Sequence, residues 1–272
     1  MTADQLHPIP LWVDAYVTQI HGADTPPPAA LTLKLNHTRQ VAANAREIAQ
    51  QLDWPAHAVR LGEALGWLHD VGRFAQFAEF GHYHDATSFN HGWRGAEIVA
   101  DAGLLASLSA ISQACLLDGI RHHNAKTLPA EIAASSLPYL KLIRDADKLD
   151  IFRVVIEGLE RDGFQELAAM WPHIDLHGPI NPRLLQDIRA HQQADLLHVR
   201  SLADFLVLQA SWMLTLNYAP TAHLAQERGV LDTLAAYLPG DPAADNFMNE
   251  MRDVLAQQAR RTLSTAGIAH AG

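Results

Sequence analysis

Cysteine and positive charge are both scarce in this sequence. The only cysteine is Cys115, which excludes an internal disulfide and is typical of a reducing compartment. The 20 Lys and Arg residues are outnumbered by 30 Asp and Glu residues, so the formal net charge is -10. A surface that follows nucleic-acid phosphates needs an excess of positive charge. We therefore do not expect a nucleic-acid polymer as the partner.

Long hydrophobic runs are absent as well. No segment approaches the roughly 18 uninterrupted apolar residues of a membrane span, and no basic start followed by an apolar run indicates a secretion signal. The sequence therefore predicts a cytoplasmic protein with no membrane segment. With 272 residues, of which 49% are hydrophobic and 18% charged, the chain can bury a substantial core.

Helix-forming residues dominate what is present. Ala, Leu, Gln and Glu are abundant, and apolar residues recur at helical spacing, which predicts an all-α fold. The segments 73–90 and 171–183, the second of which holds three prolines, are expected to be irregular. The predicted helices cover about 6–22, 33–52, 91–103, 107–123, 129–161, 183–217, 221–238 and 241–264. One more helix is predicted to begin at Pro55 and to run into the segment LGWLHDVGRF, residues 65–74.

Histidine is abundant, with 16 residues, and several lie where the apolar stripe of a predicted helix ends. His37 continues the stripe that begins at Val41. The pair His69 and Asp70 directly follows the apolar end of another helix. These polar side chains are therefore expected to face the core.

Two further helices repeat this pattern. His91 shares a helical face with Gly95, which leaves space beside the ring. His123 ends the stripe that passes through Ile120, whereas its neighbour His122 lies on the flank. His123 is therefore the better inward candidate of the two.

In the segment DADKLD both Asp145 and Asp147 are in phase with apolar residues, so periodicity does not choose between them. One inward histidine is ordinarily a hydrogen-bonded core residue. Several converging imidazoles and carboxylates are better explained by divalent cations, because a buried carboxylate is costly unless it is paired or binds a metal. The lack of cysteine ligands argues against a closed structural zinc site.

These residues resemble a known signature. His37, the pair His69-Asp70 and Asp147 in Ala-Asp-Lys-Leu look like the H…HD…D pattern of the HD-domain superfamily of metal-dependent phosphohydrolases. The resemblance covers about residues 33–155 and implies an HD-domain helical bundle with additional N- and C-terminal helices. It also favours Asp147 over Asp145 as a ligand. No internal repeat or long linker is present, so we expect one domain over 1–272, with an extension over about 156–272.

The resemblance extends to the subset of this superfamily that holds two metal ions. His91 precedes Gly-Ala, and the pair His122-His123 follows later, as in that subset. The sequence departs from the HD-GYP enzymes because it lacks the Gly-Tyr-Pro segment. Two divalent ions are implied, with Fe or Mn favoured and Ni, Zn, Co or Mg as alternatives. The implied ligands are His37, His69, Asp70, His91, His122 or His123, and Asp147.

The implied activity is hydrolysis of a phosphate ester of a small metabolite or nucleotide. In this scheme Asp70 bridges the two cations, which lower the pKa of a bridging water from 15.7 to about 7, and the resulting hydroxide attacks phosphorus in line. Asp70 is therefore a catalytic candidate.

Positive charge close to these motifs supplies candidates for binding the substrate. Arg73 is expected to bind phosphate and to assist catalysis, because its planar guanidinium suits phosphate oxygens. Asn124, Lys126 and Lys148 are candidates because they adjoin the motifs. Asp85 is a candidate for contacting the substrate and for protonating the leaving group.

Two other functions are compatible with similar ligands. A di-iron HD-type oxygenase would cleave a carbon bond with dioxygen, and a non-catalytic module would only sense a metal or ligand. The apolar stripes of the C-terminal part, such as 202–208, fit core packing first and a homo-oligomer interface second.

Overall fold

The computed structural model describes residues 1–22, 26–168, 174–192, 194 and 196–261. These residues form helices joined by turns, which confirms the all-α prediction. Within the described part of the chain no regular strand occurs, and one isolated parallel bridge joins Asp175 and Ser201. No helix in that part is both long and apolar enough to cross a membrane.

The helices follow one another in this order: α1 Ala3–Leu6, α2 Pro8–His21, α3 Ala29–Gln51, α4 Ala56–Leu68, α5 Val71–Phe80, α6 His91–Asp101, α7 Ala110–His122, α8 Leu137–Asp162, α9 Gln165–Ala168, α10 Pro182–His191, α11 Leu202–Ser211, α12 Ala219–Glu227, α13 Val230–Ala236 and α14 Pro242–Ala259. Short 3-10 turns cover Asp85–Thr87, Leu196–His198 and Trp212–Thr215.

The chain divides into two compact units, Met1–Asp147 and a second that begins at Lys148. In the first unit α3 packs against α4, α5 against α6, and α6 against α7. In the second unit α14 packs against α11, α12 and α13. A single domain over 1–272 stays a prediction.

Glycines allow the helices of the first unit to approach closely. A Cβ on Gly66 of α4 would lie 2.7 Å from the backbone nitrogen of Ala42 in α3. A Cβ on Gly72 of α5 would overlap the carbonyl oxygen of His91 and lie 2.8 Å from the nitrogen of Gly95 in α6. The absence of side chains at these two positions therefore brings α4 onto α3 and α5 onto α6.

Several predicted helix bounds were wrong. Residues 73–80 belong to α5 and not to a loop, since Val71 and Phe74 are buried one turn apart. The predicted helix 129–161 begins only at Leu137. Part of the irregular segment 171–183 lies outside the described residues, as do residues 262–264 of the last predicted helix.

Two long predicted helices are interrupted. The range 183–217 breaks between α10 and α11, because Ser201 and Asp204 form a capping box that starts a new helix. The range 221–238 breaks at Gly229, whose φ of +61° is left-handed. The helical spacing of apolar residues continues through both breaks, but the capping box and the left-handed glycine end the helices there.

The close contact at Gly66 generates a stability prediction. Alanine is favoured over glycine by about 1 kcal/mol in a helix interior. The atoms that its Cβ would meet belong to the backbone of α3 and cannot rotate away. We therefore expect Gly66→Ala to lower the free energy of unfolding by about 1–3 kcal/mol in urea titrations.

Gly240→Ala is the matched control for this substitution, because its Cβ would meet nothing within 4 Å. Equal unfolding free energies for the two variants would show that α3 and α4 are not in close backbone contact.

Candidate metal centre

Five helices bring five of the predicted ligands together at their ends or on their buried faces. His69 is the C-cap of α4, and Asp70 is the N-cap of α5. His91 is the first residue of α6, and His123 is the C-cap of α7. His37 lies within α3 and is buried, as these four residues are.

The carboxylate of Asp70 is the common point of the cluster. Its Oδ2 lies 3.5 Å from Nε2 of His37 and 3.2 Å from Nε2 of His69. Its Oδ1 lies 3.4 Å from Nε2 of His91 and 3.5 Å from Nε2 of His123. Each oxygen therefore faces two imidazoles, and the carboxylate divides the cluster into two halves.

Asp147 of α8 adds a second carboxylate to one half. Its Oδ1 lies 3.1 Å from Nε2 of His37 and 3.8 Å from Nε2 of His69. Asp145, two residues earlier in the same helix, is fully buried. We call His37, His69, Asp70 and Asp147 the first half of the centre. We call Asp70, His91 and His123 the second half.

Hydrogen bonds at Nδ1 fix the tautomers of three of the rings. Nδ1 of His69 lies 2.8 Å from the carbonyl of Gly66, and Nδ1 of His123 lies 2.8 Å from the carbonyl of Ile120. Because a carbonyl only accepts, each Nδ1 carries the proton and donates it. In the neutral ring the lone pair is then on Nε2, which is the atom that faces Asp70. Nδ1 of His91 donates in the same way to Asp85, at 2.7 Å.

Burial keeps these rings neutral. It lowers the pKa of His69, although the adjacent Asp70 opposes the shift. It also lowers the pKa of His91 to about 4, although the hydrogen bond to Asp85 opposes the shift. At neutral pH both rings therefore offer a lone pair at Nε2.

These lone pairs lack suitable donors within the described residues. Nε2 of His69 is buried without a hydrogen-bond partner there. Nε2 of His91 and Nε2 of His123 are only 3.0 Å apart, although each is an acceptor in the neutral tautomer. Two ligand atoms that each lie about 2.1 Å from the same ion are separated from each other by a distance similar to this 3.0 Å. The residues of both halves therefore fit divalent cations.

Each half groups three ligand atoms that all lie within 4.8 Å of one another. They come from His37, His69 and Asp70 in the first half, and from Asp70, His91 and His123 in the second. Imidazole and carboxylate together suit Fe, Mn, Zn and Ni, so the donor set does not select one metal.

Two cationic side chains flank Asp70. The Nζ of Lys34, one turn before His37 in α3, forms an ion pair with Oδ2. The Nε of Arg73 lies 3.9 Å from Oδ1. Although burial raises the pKa of Asp70, the ammonium of Lys34 is the largest opposing influence, and the pKa is held well below its usual range. Sequence reasoning missed Lys34, whose position in phase with His37 and Val41 was the available signal.

Arg73 is held by a network of polar contacts. Its Nη1 donates to Oε1 of Gln76 at 2.6 Å, to the carbonyl of Tyr83 at 2.6 Å and to Oδ1 of Asp85 at 2.7 Å. Gln76 is fully buried and was also missed, because the segment that contains it was predicted to be a loop. Nδ2 of Asn124 donates to Asp85 at 3.2 Å.

Burial alone would raise the pKa of Asp85. The hydrogen bond from His91, together with the charge of Arg73 and the hydrogen bond from Gln76, outweighs that effect and holds the pKa well below its usual range. Asp85 is therefore a carboxylate at neutral pH.

Three sequence candidates have other surroundings. His122 is half-buried, with its ring packed edge to face against Trp93 at 5.8 Å between centroids. Lys126 is exposed. The Nζ of Lys148 donates to the carbonyl and to Oγ1 of Thr215, at 3.0 and 2.9 Å. Of the pair left open by the sequence, His123 is thus the member that joins the cluster.

Comparison with known proteins gives one positive finding. Residues 35–151 match the family model described as HD domain. The matched range contains every residue of both halves, from His37 to Asp147. No curated protein and no solved structure matches the chain.

The ion pair of Lys34 generates a prediction for the metal-free protein. Lys34→Met leaves the buried carboxylate of Asp70 without its nearest ammonium, and we expect a loss of about 1–3 kcal/mol in unfolding free energy. Saturating Mn²⁺ should remove most of this difference, because a bound cation replaces the missing charge. Urea titrations with and without Mn²⁺ measure both effects.

Lys141→Met is the matched control, since Lys141 makes no ion pair in the described part of the chain. An equal loss in both lysine variants, or a loss at Lys34 that Mn²⁺ leaves unchanged, would contradict the role assigned to this ion pair.

Proposed function

We propose that the protein is a metal-dependent phosphohydrolase that cleaves a phosphate ester of a small metabolite or nucleotide, because residues 35–151 match the HD-domain family model. The HD-domain superfamily consists mostly of metal-dependent hydrolases. One observation carries the proposal further: two groups of buried side chains share Asp70, and three of their imidazoles turn an Nε2 lone pair toward it.

The donor set supports two divalent cations, one in each half. When bound, such cations lower the pKa of a coordinated water and polarise phosphoryl oxygens, so no side-chain nucleophile is required. His37, His69, Asp70 and Asp147 would hold a cation in the first half, and Asp70, His91 and His123 would hold one in the second.

Fixed positive charge near Asp70 would orient the phosphate. The side chain of Lys34 is 21% exposed, and its ammonium lies against the carboxylate oxygen of the first half. With the charge of Asp70 compensated by a cation, this ammonium would be able to meet a phosphate oxygen. The Nη1 of Arg73 is already bound to three oxygens of its own chain, so its charge acts on the substrate without a new hydrogen bond from that atom.

The carboxylate of Asp85 fits a different role from the proton donor considered above. Because its pKa is held well below the usual range, it has no proton to give to a leaving group at neutral pH. Both of its oxygens accept hydrogen bonds from the chain itself.

Elemental analysis tests the proposed metal content. Protein purified without added metal should contain about two equivalents of Fe, Mn or another divalent metal, as expected for a two-metal hydrolytic site. The same protein should release phosphate from members of a panel of sugar phosphates and nucleotides. Two bound metals with no phosphate release but with oxygen consumption would favour a di-iron oxygenase instead. Two bound metals with neither activity would favour a sensing module.

Histidine variants test which residues hold the metal. His69→Ala should lose the metal of the first half and phosphate release together, because it removes a buried ligand. His123→Ala should lose one equivalent of metal. His122→Ala is the matched control and should keep both metals, since its ring packs on Trp93 outside the cluster. Unaltered turnover in His69→Ala would refute the proposed function.

A further inference from the structure

We propose that Asp85 is a positioning residue that holds His91 for the cation of the second half. This half then depends on the loop 81–90, whereas the first half does not. The inference deepens the proposed function and rests on its premise that both halves bind cations.

The groups that accept the Nδ1 hydrogen bonds of the imidazoles come from different parts of the chain. His69 and His123 each donate from Nδ1 to a carbonyl three residues earlier, those of Gly66 and Ile120, in the helix that each ring caps. These anchors are therefore provided by the last turn of the same helix.

His91 has no such turn before it, because it is the first residue of α6. It needs an acceptor from elsewhere, and the carboxylate of Asp85 provides it. Nδ1 of His91 lies 2.7 Å from Oδ2 and 3.0 Å from Oδ1 of Asp85. Such an outer carboxylate fixes the orientation of a metal-binding ring and raises its basicity.

Asp85 is itself fixed by side chains from two other elements. Nη1 of Arg73 and Nε2 of Gln76, both in α5, donate to its Oδ1 at 2.7 and 3.0 Å. Nδ2 of Asn124, which follows α7, donates to its Oδ2 at 3.2 Å. Because these donors occupy both oxygens, the carboxylate is directed at His91.

The same donors hold the loop 81–90 against α5. Nε2 of Gln76 also donates to Oγ of Ser88 at 2.7 Å and to the carbonyl of Phe89 at 3.1 Å. Arg73 donates to the carbonyl of Tyr83 at 2.6 Å. The position of His91 is therefore linked to the order of this loop. By the reciprocity of linkage, a cation in the second half should stabilise the loop in return.

Calorimetric titration of the metal-free protein with Mn²⁺ tests this role directly. The wild type should bind two ions. Asp85→Asn should weaken one of the two affinities by about 10–100-fold, as for other outer-shell partners of metal ligands. The other affinity should stay within about twofold. Asp101→Asn, an exposed carboxylate at the end of the same helix as His91, should bind both ions like the wild type.

A double-mutant cycle separates positioning from a general loss of structure. If Asp85 acts through His91, then Asp85→Asn should change no Mn²⁺ affinity in a His91→Ala background. An equal weakening in both backgrounds would overturn the inference, as would two unchanged affinities in Asp85→Asn alone. If Asp85→Asn leaves both affinities unchanged while the wild type binds two ions, the proposed function would still stand. A wild type that binds no ion would overturn both.

Amide hydrogen exchange in the wild type decides the question even if Asp85→Asn does not fold. Exchange at Thr87 and Ser88, whose amides donate to the carbonyls of His84 and Asp85, should slow when the second equivalent of Mn²⁺ is added. Unchanged exchange in the loop 81–90 on saturation of both halves would overturn the inference.

Discussion

The structure of this centre depends on one buried carboxylate. Asp70 is 2% exposed, and its two oxygens face four imidazoles in two opposite pairs. A buried carboxylate is costly unless positive charge compensates it, and neutral imidazoles supply none. Lys34 supplies part of that charge in the chain itself. The neighbouring rings present lone pairs and not protons, so a cation bound beside the carboxylate could supply the rest.

Helix ends, more than helix faces, make up the cluster. His69, Asp70, His91 and His123 all lie at the first or last position of a helix, or cap one. At a C-terminal end the preceding turn has a carbonyl that can fix an imidazole, and at an N-terminal end it has none. The geometry of helix termini therefore determines which ring needs a partner from a distant loop. Only His37 and Asp147 reach the cluster from within a helix.

Much of the centre was predictable because its members interrupt apolar stripes. His37, His91 and His123 were found by helical phase alone, and the family resemblance chose Asp147, whose carboxylate lies against His37. Lys34 and Gln76 were missed for a physical reason. A lysine on a helix is usually solvated, and a buried amide leaves no periodic trace when the segment around it is read as a loop. Their roles arise from contacts with Asp70 and Asp85 across the fold: helical phase shows which way Lys34 faces, but not which side chain it meets.

The glycine at position 72 has a consequence for the distance between Asp70 and the rings of the second half. Gly72 follows Asp70 by two residues, and its missing side chain lets α5 rest on the carbonyl of His91. This close approach of α5 to α6 accompanies the 3.4 Å separation of Oδ1 of Asp70 from Nε2 of His91. Any larger residue at this position would force α5 and α6 apart, and Asp70 would then lie farther from His91.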